Sequence, residues 1–544
     1  MKRTWWKESV VYQVYWRSFL DTDGDGYGDL QGLIEKLDYI KNLGVDIIWL
    51  NPAYQSPDKD NGYDISDYHT IMEKAGTIEI LDNLLLEIHK RGMKLIMDLV
   101  VNHTSDQHPW FVESRSSPHS PKRDWYIWKQ PEDGKEPNNW RSYFSPSAWE
   151  WDQRTEQYYF HSFAVEQPDL NWENPEVREA IYAMMRFWLE KGIDGFRLDA
   201  IALLAKPDGY PNAADPQDIR YLTNNPGLHT YLKEMNEKVL SHFDILTVGE
   251  AAYVTPEEGL KYVGEDRNEL HTLFHFEVAD EMPSWDMLRF KDIQNRWYEG
   301  LNGKGWNSQF LNNHDHTRQV TRYGNDKQYR VESAKLLATM LHTLPGMPYI
   351  YQGEEIGMTG VRFPSIGDYN DIAMKNRYEE EILKGSDPQV VFESLLPLSR
   401  DNSRTPMQWD ETPNAGFTTG APWIKLNPNY KEINVKRDLE SPNSIYRYYQ
   451  KLIALRKANP VMVYGDYQDL SEGDPHLYVY TRELDGIRWL IILNHADHET
   501  PFTCMAGFDN PNKKLVIANY IDVQQEASIA HVMLRPHEAR IYSL

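Results

Sequence analysis

The chain has 544 residues (63.8 kDa), with 57 Lys and Arg against 82 Asp and Glu, a formal net charge of −25. That acidic excess excludes a generic nucleic-acid binder, which needs a basic footprint to displace counterions from phosphate. The single cysteine, Cys504, excludes an internal disulfide and a Cys-rich metal site, so stability must come from packing.

The basic start is followed by Glu8, Gln13 and Arg17, which interrupt any signal-peptide core. No later stretch approaches the roughly 18 apolar residues of a membrane span. A cytoplasmic protein without a membrane partner is expected, as a monomer or weak dimer. Aromatics make up 13% of the chain, 34 Tyr and 18 Trp among them. Such rings suit a flat ligand that must also be hydrogen-bonded, although core packing uses most of them.

In chain order, short β-branched runs alternate with amphipathic stretches, the signature of repeated βα units around a parallel sheet. Eight strands are predicted: Val10 to Phe19, Val45 to Pro52, Lys94 to His103, Gly195 to Ala200, Asp244 to Glu250, Leu270 to Glu277, Ser308 to Asp315 and Met347 to Glu354. Between them, Leu30 to Leu43 and Val177 to Lys191 show helical periodicity, each followed by a stop glycine, Gly44 or Gly192. Eight units imply an α/β protein of the (β/α)8 TIM-barrel type.

Residues 105–171, rich in Trp, Pro, Ser and charge, are too long for an ordinary connection and are expected to form an inserted subdomain after the third strand. Residues 1–104 and 172–464 then make the barrel. An irregular stretch near 358–420 should wall the active site, because barrel sites are built from the loops after strands. From residue 465 to 544, runs such as LYVYTREL, RWLIILNHA and KLVIANY alternate with period two, which predicts a C-terminal antiparallel β-sandwich domain.

Several predicted strands end in an acid or beside one. DLVVNH holds Asp98 and His103, GFRLDA holds Asp199, TVGE holds Glu250 and LNNHD holds Asp315. Polar residues at the C-terminal lip of a barrel read as catalytic. Arg197 and Asp199 are two apart on one strand and leave the same face, so the guanidinium is expected to lower the pKa of Asp199 and keep it ionised as a nucleophile. Glu250 ends an apolar strand, and burial with neighbouring acids is expected to raise its pKa, as a general acid requires. Any one of these could be a structural ion pair; three acids, an Arg and two His at matching positions argue for a site.

Those four motifs resemble, in order and spacing, the signature regions of the α-amylase superfamily of glycoside hydrolases, glycoside hydrolase family 13. QPDLN at Gln167 to Asn171 and RDNSRTPMQWD at Arg400 to Asp410 resemble its oligo-1,6-glucosidase and α-glucosidase branch. The resemblance runs from Trp5 to the C-terminus. It implies a retaining double displacement in which Asp199 is the nucleophile, Glu250 the general acid/base and Asp315 the stabiliser of the oxocarbenium-like transition state. It also implies a pocket for one terminal glucose of small neutral α-glucosides. There Asp60 and Arg400 would pair at the far hydroxyl, Tyr63 would stack under the ring, and Phe144 and Phe163 would form walls. His103, Gln167, Arg197 and His314 would bind hydroxyls.

The loop DTDGDGYGD places oxygen ligands at Asp21, Asp23, Asp25, the Tyr27 carbonyl and Asp29, with Gly26 at the sixth position, like the start of a calcium-binding loop. Gly32 replaces the glutamate that would close an EF-hand, so a fixed structural Ca²⁺ is expected, as in the branch resembled. Lys206 resembles the lysine that replaces a second calcium between barrel and insert.

In this branch Ala after the nucleophile, here Ala200, resembles α-1,4-preferring enzymes, whereas Val resembles α-1,6-preferring ones. An α-glucosidase capable of transglycosylation is therefore expected. AAYVT after Glu250 and HTR after Asp315 depart from the usual branch sequences and leave an oligo-1,6-glucosidase open. A trehalose-6-phosphate hydrolase would need a cationic pocket, a sucrose isomerase an Arg-rich RLDRD-like segment absent here, and a catalytically dead barrel would have lost its acids.

Overall fold

All eight predicted strands form, each shorter than its predicted run: β1 Val11–Val14, β2 Ile47–Leu50, β3 Lys94–Val100, β4 Gly195–Asp199, β5 Leu246–Ala251, β6 Thr272–His275, β7 Ser308–Gln309 and β8 Met347–Tyr351. They pair in parallel in the order β6-β5-β4-β3-β2-β1-β8-β7. A parallel bridge between Leu273 and Asn307 joins the two ends and closes the barrel. The structure is a computed structural model in which residues 3–144, 146–301, 303–505 and 507–544 are described.

Both faces of the strands are buried, as the continuous apolar runs require. Val11, Ile47, Trp49, Ile96, Val248 and Phe274 fill the interior as one cluster. Tyr12, Ile48, Leu95 and Leu198 face outward into the helix layer. The helix Pro175–Lys191 shows why that layer forms. Asn174 caps it by accepting from the Glu176 N–H, proline opens it, and Gly192 ends it at φ +111°. Its inner face buries Val177, Ile181, Met185 and Trp188, and the Trp188 indole donates to the Tyr68 carbonyl at 2.9 Å. Truncating a tryptophan packed like this to alanine costs about 3 to 5 kcal/mol.

The predicted helix over Leu30 to Leu43 is two helices, Leu30–Glu35 and Leu37–Leu43, because Lys36 leaves helical geometry at ψ 5°. Between β3 and β4 lie the helix Pro109–Ser116 and a three-stranded antiparallel sheet, Trp128–Lys129, Gln157–Phe160 and Trp149–Asp152. Bridges from His103 to Asp169 and from Tyr126 to Leu170 tie the two ends of this excursion to each other.

The stretch after β8 is not irregular throughout. It holds the helices Ile372–Leu383 and Pro388–Leu395, started by the side chains of Asp371 and Asp387 accepting from backbone N–H groups. The C-terminal runs form a five-stranded antiparallel sheet, with a second pair of strands, Thr500–Thr503 and His531–Leu534, packed beside it. Among the described residues no helix is long and apolar enough to cross a membrane.

Candidate active site

Strand register decides which acids meet. Arg197 on β4 stands opposite Asp98 on β3 and Val248 on β5. Two residues further along, on the same face, come Asp199 and Glu250. The buried Arg197 guanidinium therefore reaches three carboxylates: Asp98 at 2.6 Å, Asp199 at 2.5 Å, and Glu250 in a still shorter contact. Trp49 fixes the other side of Asp98, its indole donating at 2.7 Å, and its ring lies 5.3 Å from the guanidinium. Glu250 also accepts from the Ala200 N–H at 2.8 Å, a bond made possible by the left-handed turn of Ala200, φ +44°.

Burial and charge compete at these acids. Burial raises the pKa of Glu250 to about 8, opposed by Arg197 and reinforced by the Asp199 charge. Asp199 rises to about 6, because loss of water outweighs the neighbouring guanidinium. The expected sign of the Arg197 effect is present, but the expected net lowering is not; a residue on a largely buried strand end loses more hydration than one guanidinium shared three ways returns. At neutral pH the outcome is still an ionised Asp199 beside a protonated Glu250.

Asp315 behaves oppositely. Burial opposes its charge, but His314 at 3.1 Å, Arg404 at 2.5 Å and Arg400 at 3.7 Å together more than offset that and hold it far below the usual carboxylate range. At neutral pH His314 itself is uncharged, because burial lowers its pKa to about 3.

The remaining predicted residues converge on the same lip. Asp60 and Arg400 pair at 3.2 Å. The Gln167 amide donates to Asp60 at 3.2 Å and lies 3.1 Å from the His103 ring nitrogen, which also meets the Tyr63 carbonyl at 3.1 Å. The Tyr63 hydroxyl contacts His314 at 2.7 Å and accepts from Asn51 at 2.8 Å. Arg400 lies 4.7 Å from the Phe144 ring, which meets Phe163 at 5.4 Å, and Phe163 meets His103 at 5.1 Å. In the free protein these polar side chains are committed to one another, which fixes their rotamers.

Residues 13–465 match the alpha amylase catalytic domain. The chain belongs to the α-amylase family. An oligo-1,6-glucosidase of Parageobacillus thermoglucosidasius is 53% identical over 560 residues, covering 100% of both chains. A trehalose-6-phosphate hydrolase of Bacillus subtilis is 47% identical over 551 residues, 99% of this chain and 98% of its relative. The crystal structure of the isomaltulose synthase SmuA from Protaminobacter rubrum superposes with a TM-score of 0.96 at 42% identity, covering 100% of both. The protein is thus a glycoside hydrolase, and its relatives place it among the glucosidases of this family.

Two members of the site escape sequence reading. Arg404, fully buried, donates to Asp315 and, at 3.0 Å, to the His314 carbonyl. Asp371 holds Arg400 from behind at 2.8 Å. For Arg404 the signal lay in the motif itself, a second arginine one helical turn after Arg400; for Asp371 no local signal existed.

Away from the lip, Asp21, Asp23 and Asp29 bring carboxylate oxygens within 4.8 Å of one another. Asp25 lies outside that group and accepts from the Tyr27 N–H at 2.7 Å. Asp21 is held by the N–H groups of Asp23, Gly24 and Gly26. Gly26 has no alternative, since a Cβ there would meet the Ala421 carbonyl oxygen at 2.0 Å. Lys74 lies over the Tyr27 ring and pairs with Asp58 rather than with the loop acids. Three converging hard oxygens without a cation fit a calcium ion. The buried Lys206 ammonium, in contrast, already fills the cage made by Asp169 at 2.6 Å, Asn102 at 2.9 Å and the Leu203 carbonyl.

Proposed function

We propose that this glycoside hydrolase is an exo-acting, retaining α-glucosidase that removes the terminal glucose from short neutral α-glucosides. The observation that carries the reading is one guanidinium, Arg197, joining Asp199 to Glu250, with the Asp60–Arg400 pair behind them. A retaining pair stands about 5 to 5.5 Å apart and an inverting pair about 6.5 to 9.5 Å; bridging by one side chain favours the closer spacing. The Asp60–Arg400 pair supports exo action, because a buried pair across the cleft stops a chain from running through.

In the first step the Asp199 carboxylate attacks the anomeric carbon while the bond to the glycosidic oxygen breaks and Glu250 gives that oxygen its proton. In the second, Glu250 takes a proton from water as its oxygen attacks the same carbon and frees Asp199. Esterification removes the Asp199 charge that raises the pKa of Glu250, so the same residue becomes a weaker proton holder when it must act as base. Asp315, kept anionic by Arg404, accepts from sugar hydroxyls and faces the developing positive charge.

The small Ala200 side chain supports α-1,4 over α-1,6 linkage. Its left-handed backbone adds a reason, because a β-branched side chain is strained there. A difference of this size is worth about 1 to 3 kcal/mol of discrimination. The oligo-1,6-glucosidase names of the 53% and 52% identical relatives support the second reading, α-1,6. A phosphorylated disaccharide finds most cations of the cleft mouth committed, Arg141 and Lys384 to Glu380 and Arg400 to Asp60 and Asp371, with Arg377 the one lining cation that has no ion pair among the described residues.

A panel of maltose, isomaltose, sucrose, trehalose and trehalose 6-phosphate at equal concentration tests the reading. The expected order of kcat/KM is maltose, then isomaltose, with the phosphorylated sugar last. Cleavage of the phosphorylated sugar alone would refute it. We also infer a structural Ca²⁺ held by Asp21, Asp23 and Asp29, with the Tyr27 carbonyl and Asp25 as further ligands of the loop.

A further inference from the structure

Tyr253 stands three residues beyond Glu250, in the loop that follows β5 at the C-terminal lip. Its backbone is left-handed, φ +58°, a conformation bulky side chains rarely adopt and one that costs stability. Packing within the chain does not repay that cost. The residue is 42% exposed, and among the described residues its ring has no stacking partner and its hydroxyl no hydrogen bond. An exposed tyrosine is ordinary on a surface; one held in a strained turn, unsupported, beside a catalytic acid is not.

Its surroundings locate it. Tyr143 feels the charges of Tyr253, Asp280 and Glu250, and Tyr253 those of Asp280, Asp218 and Arg220. Tyr143 and Asp280 line an open cleft of about 630 Å³ that also includes Phe144 and Arg400. Tyr253 is not among the residues lining that cleft; it lies two residues past the end of β5, on the side where the strand delivers Glu250. That is the leaving side, because the general acid must protonate the departing oxygen.

We propose that Tyr253 is the stacking platform for the sugar ring beyond the scissile bond and makes the enzyme favour leaving groups that are themselves pyranoses. The ring offers a flat apolar face to the sugar's C–H face and a free hydroxyl to its oxygens. The proposal rests on the α-glucosidase reading.

The test compares hydrolysis of maltose, isomaltose and α-D-glucosyl fluoride, whose leaving group has no ring, by the wild type, Tyr253→Gly and Tyr253→Phe. Glycine suits the left-handed backbone, so folding is not endangered. The ratio of kcat/KM for the better disaccharide to that for the fluoride should fall about tenfold in Tyr253→Gly and stay within about twofold in Tyr253→Phe. An unchanged ratio in Tyr253→Gly, or an equal fall in Tyr253→Phe, overturns the platform. Wild-type inactivity toward glucosyl fluoride would overturn the α-glucosidase reading instead.

Discussion

At the barrel lip, Asp98, Asp199 and Glu250 share the Arg197 guanidinium and Asp315 leans on Arg404. In the loop from Asp21 to Asp29 the carboxylates are held by backbone N–H groups instead, and among the described residues none of them forms an ion pair with Lys or Arg. The two clusters hold similar numbers of acids, but only the first contains its own counter-charge. Fixed guanidiniums shared unequally push neighbouring pKa values apart, which assigns one acid the proton and another the charge. Backbone dipoles do not neutralise a loop, and the proposed Ca²⁺ would supply that missing counter-charge. Each prediction below strikes at one side of this contrast.

The largest effect belongs to the lip. Asp199→Asn removes the nucleophile but keeps the size and one acceptor oxygen toward Arg197. Turnover of a nitrophenyl α-glucoside should fall by about four orders of magnitude or more, while the circular-dichroism spectrum and melting curve stay close to the wild type. Turnover within tenfold of the wild type would mean the lip acids are a structural ion-pair network after all.

The split pKa values predict the pH dependence. Asp199, at about 6, must lose its proton to attack, so kcat/KM rises with pH through about 6. Glu250, at about 8, must keep its proton to give it away, so kcat/KM falls as pH rises through about 8. The profile is a bell with a maximum near neutrality, falling about tenfold per pH unit outside the limbs. The two midpoints belong to the coupled pair. A profile flat across both limbs would show that Arg197 does not separate the two acids.

How far the sequence reveals each cluster follows from the range of the interactions. The eight strands and their terminal acids are local patterns, a short continuous apolar run and a polar lip. The Arg197–Asp199 pair is a two-residue spacing on one strand. Asp98 joins it through strand register, which no local pattern encodes. Arg404 reaches Asp315 across 89 residues, from a four-residue helix, Asp401–Arg404, too short for any periodic signal. Asp371 reaches Arg400 across 29. The net shift of Asp199 runs opposite to the expected one for a related reason: a charge two residues away can be read from the sequence, but the depth of burial cannot. The acidic loop is the most compact pattern because its carboxylates fall within nine consecutive residues, yet even there the structure sets Asp25 apart from the other three.

The smallest effect tests that loop. Calcium bound only by the folded state adds stability that grows with the ratio of free ion to Kd, about 2.7 kcal/mol at a hundredfold excess. In a chain of this size that is a shift in melting temperature of only about 3 °C. Chelation with EDTA should lower the melting temperature by about that much, and added Ca²⁺ should restore it. Asp23→Asn keeps an oxygen for the 3.1 Å bond from the Asp25 N–H but removes one charge from the cluster. The variant should therefore melt near the chelated wild type and respond less to EDTA. If the wild type ignores EDTA and elemental analysis finds no bound metal, the backbone N–H groups and the Thr22 and Thr418 hydroxyls hold the loop without an ion. The contrast between the two clusters would then be one of hydration, with the exposed carboxylate of Asp23 facing water rather than an ion.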